Sequence, residues 1–307
     1  MPLAPGIARA LIEAGVTVQD DAPLAKRTWW RTGGTADGFA TLRTDAELRA
    51  ASGVCASLGV PLFPLGNASN LLVSDRGVRG LVVRLAGELA HVERTSSGLR
   101  LGGGVKLVGL VRRAVKEGWT GLEMLAGVPG TVGGAVTMNA GTRLGEISDI
   151  LERVRLVHAG TSRWVEASEL RLAYRSSDIG PEGTVIAEAE VRLTHADPSA
   201  SAEAIDEHLA YRARTQPVDV PTIGSTFRNP PGDHAGRLID AAGLKGTRIG
   251  AAEVSTKHAN FLVNTGGATA DDLRRLIEHV QEVVNEHHGV RLQREVHYAG
   301  DWSHWET

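Results

Sequence analysis

The sequence predicts a fold that mixes helices with strands, and three observations carry the prediction. Residues 184–194 place Val185, Ala187, Ala189, Val191 and Leu193 on one face, the period-2 pattern of a half-buried strand. Residues 269–288 repeat Leu273, Leu276, Ile277, Val280, Val283 and Val284 at helical spacing behind the cap Thr269-Ala270-Asp271-Asp272, and Gly289 stops the run. The third is the stretch 121–141, GLEMLAGVPGTVGGAVTMNAG, with glycine at 121, 127, 130, 133, 134 and 141, Pro129 in the middle and Glu123 as its only charge. That is too much glycine for a helix or strand interior and too apolar for a solvated linker. Glycine lets another object approach the backbone, and amides along such a loop suit an anion such as a pyrophosphate. A buried turn whose glycines only allow tight packing explains the composition equally well.

The chain has 307 residues and 42% hydrophobic content, enough for more than one domain. A net charge of −3, from 33 basic and 36 acidic residues, gives no electrostatic argument for nucleic acid or an anionic membrane as partner. The single cysteine, Cys55, excludes an intramolecular disulfide and a cysteine-cluster metal site. A reducing cytoplasm is the natural setting. Residues 1–20 lack a basic start and Glu13 interrupts their apolar run, so no signal peptide is expected. No apolar run is long enough to span a bilayer. The histidines show no HExxH or Cys/His pairing, and Glu286-His287-His288 reads as a solvated helix end, so no metal is expected.

In chain order, residues 1–20 read as an amphipathic helix with Ile7, Leu11 and Ile12 inward. Trp29 and Trp30, adjacent on an extended segment, place one ring in and one out. Thr44-Asp45-Ala46-Glu47 is a capping box opening a helix to about residue 58, stopped by Gly59. A strand at 60–65 leads into Gly66-Asn67-Ala68-Ser69-Asn70-Leu71, a turn of small residues. Strands follow at 81–85 and 99–101. Gly102-Gly103-Gly104 opens a helix at 105–117 with Val105, Leu107, Val108, Val111 and Val115 as its apolar face. No GxxxxGK[ST] motif is present, and no glycine run sits in the strand–GxGxxG–helix context, which excludes a P-loop and a Rossmann site. A strand covers 151–158, and 197–201 (DPSAS) is the most loop-like break. Helices follow at 202–212 and 235–242, strands at 255–264 and 290–297. Taken alone, Arg175 is a surface arginine beside Tyr174, and Ser225 a turn or cap serine. Glu295 is a strand-face carboxylate, Arg212 and Arg214 a solvated helix end, and His258 a structural histidine.

The motifs together resemble the UDP-N-acetylenolpyruvoylglucosamine reductase family. Residues 121–141 are similar to its flavin signature GLE…GIPGT.GGA..MNAG. Residues 66–73 are similar to its G.GSN-Leu-Leu-Val turn, with Ala68 in place of the commoner glycine. Tyr174-Arg175-Ser176-Ser177 resembles its YR.S motif, 224–230 its GS.F.NP motif, 255–264 its S.KHANF.VN segment and 292–296 its L..EV strand. Thr28–Gly34 is a looser match to its NTF.xGG segment. The likeness runs from about Trp29 to Gly300 without room for a long insertion, which points to the shorter type II form.

The resemblance implies an α+β fold: a two-part FAD-binding region of the vanillyl-alcohol-oxidase type at 1–75 (with the tail 298–307) and 76–200, and a substrate domain at 205–297. It implies non-covalent FAD, contacted by Gly66, Asn67, Ala68, Ser69, Asn70 and Leu71 and by Gly127, Val128, Pro129, Gly130, Thr131, Gly133, Gly134, Asn139, Ala140 and Gly141. It implies catalytic roles for Arg175, Ser225 and Glu295, and substrate contacts at Tyr174, Arg214, Asn229 and Lys257. The implied reaction is the NADPH-driven reduction of UDP-N-acetylglucosamine enolpyruvate to UDP-N-acetylmuramate, a peptidoglycan precursor, by a cytoplasmic monomer. Two rivals remain: a flavin oxidase of the same fold using oxygen, and a flavin-binding module without turnover. Oxidases of that kind often hold flavin through histidine or cysteine, and neither glycine-rich segment offers one.

Overall fold

A computed structural model describes residues 2–305. It divides into two units. One takes the chain through Ala22, then Asp37–Asn67 and Gly80–Leu209; the other takes Pro23–Ala36, Ala68–Arg79 and the chain from Ala210 onward. The chain thus leaves the first unit inside the Gly66–Leu71 turn.

In the first unit, α1 (Pro5–Glu13) is shorter than 1–20, because Pro5 opens it and Gly15, at φ +84°, follows its end. Leu11 is buried, while Ile12 faces solvent. The helix α2 (Asp45–Ser57) starts at the expected capping box: Thr44 Oγ1 accepts the Glu47 amide at 3.2 Å and Glu47 accepts the Thr44 amide at 3.3 Å. The helix α3 (Leu107–Lys116) buries Leu107, Leu110, Val111 and Ala114, whereas Val108 is exposed. The buried set follows i, i+3, i+4, i+7, and Val108 lies about 100° off that face. A six-residue helix, α4 (Val132–Thr137), lies inside the glycine-rich stretch, where no helix was expected. Thr131 caps it by accepting the Gly134 amide at 3.3 Å. Burial of Val132, Ala135 and Val136 offsets the cost of about 1 kcal/mol per interior glycine.

A five-stranded antiparallel sheet runs in the order Thr161–Glu166, Leu151–His158, Val185–Arg192, Gly98–Gly102, Val92–Arg94. Its central strand does not alternate cleanly as the sequence suggested. Arg155 pairs with Glu188 but Leu156 pairs with Ile186, so Ala187 is an extra residue and the strand changes face there. Val185 and Ala187 enter a core with Leu11, Leu48, Leu81 and Val157. Ile186, Ala189 and Val191 enter another with Leu99, Leu107, Val111 and Val136. One strand therefore feeds two cores. A four-stranded sheet, in the order Gln19–Pro23, Thr35–Leu42, Val78–Leu85, Leu62–Pro64, lines the smaller of these. Cys55 is buried there, and burial pushes its thiol up to about 11.

The helix α5 (Pro198–Thr215) begins inside the break expected at 197–201. Asp197 Oδ1 accepts the Ser199 amide at 2.9 Å and its hydroxyl at 2.7 Å, and Pro198 takes the first helical position, so residues that read as a loop are a helix cap.

The second unit packs α6 (Ala235–Ala241) and α7 (Ala270–His288) on an antiparallel sheet of Arg248–Ile249, Ala252–Val254 and Leu262–Asn264. The expected capping box holds α7, with Thr269 Oγ1 accepting the Asp272 amide at 3.0 Å, and Gly289 ends it at φ +66°. The core gathers the α7 stripe with Trp30, Leu72, Phe227, Leu238 and Leu262. Trp30 is buried and Trp29 exposed, as expected, with Trp30 Nε1 donating to the Leu262 carbonyl at 2.9 Å. Two expected strands are shorter. Residues 255–260 form bends and a turn, Phe261 makes a single bridge to Ser225, and 290–296 are irregular apart from a single bridge of Arg294 to Phe227. Only His297–Ala299 is a strand, parallel to Leu71–Val73. No helix among the described residues is long and apolar enough to cross a membrane.

Candidate active site

The glycine-rich stretch 121–141 divides into a packed part and an open part. Part of the stretch is packing. The Val132 amide donates to Val105 and the Gly133 amide to Gly103, each at 2.9 Å. A Cβ on Gly133 would lie 3.2 Å from the Gly103 carbonyl oxygen. Gly134 donates to the Thr131 cap, so the first three amides of α4 are all committed within the protein. A different part is open. The amides of Gly127, Gly130 and Thr131 make no hydrogen bond within the described residues, and Gly127 sits at φ +71°. The turn that the sequence paired with this loop lies against it: Asn67 Nδ2 donates to the Pro129 carbonyl, and a Cβ on Gly66 would lie 2.7 Å from Thr131 Oγ1. Within the turn, the amides of Asn67, Ala68 and Ser69 are likewise without an internal acceptor. Unused donors on loops that exclude side chains are what an anionic diphosphate requires, so the residues fit FAD. Ala68 takes φ +49°, the conformation its glycine counterpart adopts without strain.

Asn139 is used differently. It is 1% exposed, at φ +41°. Its Nδ2 donates to Glu146 at 2.8 Å and to the Ala173 carbonyl at 3.1 Å, and its Oδ1 accepts the Ser148 amide at 3.1 Å. Every polar atom of its side chain is thus committed within the protein. Arg175 lies close by, on the two-residue turn between Ala173 and Ser176, which exchange backbone hydrogen bonds of 3.0 Å. Its Nη2 donates to the Gly141 carbonyl at 3.0 Å, its Nη1 is 3.4 Å from Glu146, and its guanidinium lies 4.9 Å over the Tyr174 ring.

In the second unit the structure brings Ser225, Glu295 and Asn70 to one place. The Glu295 amide donates to the Thr226 carbonyl at 2.8 Å, next to Ser225. Asn70 Nδ2 donates to the Glu295 carbonyl at 3.0 Å. Asn260, 3% exposed, clamps the serine segment: its Oδ1 accepts the Phe227 amide at 3.0 Å and its Nδ2 donates to the Phe227 carbonyl at 2.8 Å. The Asn260 amide is held by His258 Nδ1 at 3.2 Å, and burial lowers the His258 pKa, which makes this histidine structural as expected. Asn229 Oδ1 accepts the first amide of α6, from Ala235, at 3.1 Å. Lys257 Nζ donates to the Ala213 carbonyl at 2.7 Å. Arg214 is exposed. Arg212 is half-buried, and burial lowers its pKa, with no ion pair to a carboxylate among the described residues. A cavity of about 630 Å³ in this unit is lined by Arg228, Arg291, Arg294 and His297, and excludes Ser225 and Glu295. No cluster of three or more acidic, histidine or cysteine side chains suited to a metal ion occurs among the described residues.

Residues 36–168 match the family model of an FAD binding domain, and residues 216–299 match that of the UDP-N-acetylenolpyruvoylglucosamine reductase C-terminal domain. A UDP-N-acetylenolpyruvoylglucosamine reductase of Anaeromyxobacter dehalogenans is 46% identical over 282 residues, covering 92% of this chain and 85% of that one. The chain belongs to the UDP-N-acetylenolpyruvoylglucosamine reductase family. The Listeria monocytogenes serovar 1/2a reductase is 40% identical, covering 93% of this chain and 96% of its own. The crystal structure of the reductase MurB from Thermus caldophilus superposes with a TM-score of 0.81 at 38% identity, covering 92% of this chain and 98% of that one. This is a family of FAD-containing oxidoreductases, and the fold is α+β as expected.

The hydrogen bonds of Asn139 and Phe227 also show two anchors that residue-level reading missed. Glu146 and Asn260 were given no role. Asn260 carried a signal, a lone amide in the apolar run Ala259-Asn260-Phe261-Leu262. Glu146 carried none, since an acid after Gly145 reads as a solvated turn.

Proposed function

We propose that this chain is the NADPH-driven reductase of UDP-N-acetylglucosamine enolpyruvate, producing UDP-N-acetylmuramate for peptidoglycan. The observation that carries the reading is the match of residues 216–299 to the family's C-terminal domain, a span that contains Ser225, Asn229, Lys257 and Glu295. Bound FAD would supply the chemistry of accepting a hydride from NADPH and giving it to the enolpyruvyl β-carbon. The chain's part is to hold and polarise. The amides of Asn67, Ala68, Ser69, Gly127, Gly130 and Thr131 hold the diphosphate of FAD, without a covalent link, since neither loop has a cysteine or histidine. Arg175 is the fixed cation for the negative charge that builds at the α-carbon and carboxylate of the substrate. Ser225 Oγ delivers a proton to the α-carbon, which is basic enough at that stage to take it from a hydroxyl. Glu295 polarises the substrate carboxyl group or relays that proton. Tyr174, Arg214, Asn229 and Lys257 bind the nucleotide part, and Arg212, desolvated without a carboxylate, is a further partner for its diphosphate. We assign FAD to 1–75, the tail 298–307 and 76–200, and the substrate to 205–297, in a type II monomer of the cytoplasm.

The test is anaerobic. NADPH should bleach the yellow protein, and the enolpyruvyl nucleotide should restore its colour. In Ser225→Ala bleaching should be unchanged and restoration slowed by about 10²–10⁴-fold, the range for loss of a general acid. Restoration by oxygen alone would mean a flavin oxidase. Restoration at the normal rate in Ser225→Ala would remove the serine from the mechanism.

A further inference from the structure

Arg175 is tied down twice by one pair of residues. Its guanidinium reaches Glu146, and its turn hangs from Asn139, whose amide donates to the carbonyl of Ala173 two residues before it. Asn139 and Glu146 bond each other at 2.8 Å. The Glu146 backbone amide donates to Asp149 Oδ2 at 2.8 Å, which fixes the turn that carries the carboxylate. The arginine side chain is only 17% exposed and the glutamate 30%, so the pair is not a solvated surface contact. Arg175 and Asn139 both take positive φ, at +55° and +41°, a conformation that non-glycine residues seldom adopt and that concentrates where geometry matters.

We propose that Glu146, locked by Asn139, is the positioning residue that aims the Arg175 guanidinium in the half-reaction that reduces the enolpyruvyl nucleotide. The inference rests on the reading of Arg175 given above. A guanidinium is a planar fork of five donors, so it can be held along one edge and act from another. A cation aimed beforehand needs no reorganisation as charge develops. Asn139, which the sequence grouped with the flavin contacts, acts here through the arginine.

Rapid mixing of NADPH-reduced enzyme with the enolpyruvyl nucleotide tests this. Glu146→Ala should slow reoxidation on the order of 100-fold, the cost of a misplaced catalytic group, and Glu146→Gln, which keeps an acceptor, on the order of 10-fold. The rate of bleaching by NADPH and the flavin content should stay within about 2-fold of wild type, a split that a merely structural role would not give. In the Arg175→Ala background, Glu146→Ala should add nothing. Amide exchange supplies a readout without turnover: Ala173 and Ser176 should exchange faster in Glu146→Ala and Asn139→Ala, with Leu151–His158 unchanged. Wild-type reoxidation in Glu146→Ala, multiplicative effects with Arg175→Ala, or unchanged exchange at Ala173 and Ser176 would each overturn the proposal. A wild type that the nucleotide does not reoxidise would overturn the reductase reading instead, and the exchange data would then decide the positioning alone.

Discussion

Each unit uses a buried asparagine to hold a segment that carries a residue of the proposed site, and the two do it differently. Asn260 grips the backbone of Phe227 at both its amide and its carbonyl, two residues after Ser225. The contact imitates a strand pair and involves no charge. Asn139 divides its donors between the Ala173 carbonyl and the Glu146 carboxylate, and that carboxylate faces Arg175. A serine is neutral, so holding its backbone in place is enough. A guanidinium on a flexible stem must also be oriented, and a carboxylate does that with a charged hydrogen bond. The lesson is that the amide supplies placement in both units, and the counter-charge is added only where the held side chain is itself charged.

Breaking the neutral clamp should have the largest effect on stability. Asn260→Ala leaves the buried Phe227 amide and carbonyl without partners, at about 1–3 kcal/mol each. Chemical denaturation should therefore show a loss of about 3 kcal/mol, and Asn260→Asp, which keeps one acceptor, should recover part of it. Trp30→Phe removes a single donor to the Leu262 carbonyl and should cost about 1–2 kcal/mol, most of it in the second unit. Ala68→Gly should be the smallest change. It relieves a positive φ but adds backbone entropy to the unfolded chain, for a net gain of about 0.5 kcal/mol, visible as a slightly raised melting temperature.

Acid should separate the units further. Burial lowers the pKa of His258, and burial with Arg228 and Arg294 lowers that of His297. Below the ordinary imidazole value of about 6.5, the unfolded chain binds more protons than the folded one. The stability of the second unit is thus complete above that pH and lost as pH falls through it. Thermal unfolding at pH 7 and pH 5 should show this loss, and His258→Gln should reduce it. An unchanged slope in His258→Gln would mean that its ring is protonated without cost.

Local rules were enough for several elements. The boxes at Thr44 and Thr269 placed α2 and α7 because a cap satisfies amides a few residues away, with no help from the rest of the chain. The apolar stripe of α7 and the opposite fates of Trp29 and Trp30 followed from period alone. The motifs that identified the family were also legible, because residue type and spacing survive in the sequence. Tertiary structure decided the remainder. The bulge at Ala187 exists because one strand has to serve two cores, and nothing within 184–194 reveals the second one. The helix α4 forms among glycines because burial outweighs propensity. Residues 290–296 have strand character but little to pair with. The partners of Asn139, Glu146 and Asn260 lie up to 34 residues away, joined only when the loops pack. The sequence by itself determined which chemical groups are present and where helices begin, since both depend on near neighbours. Only the fold decided which of those groups meet one another, since that depends on contacts the chain makes with itself at a distance.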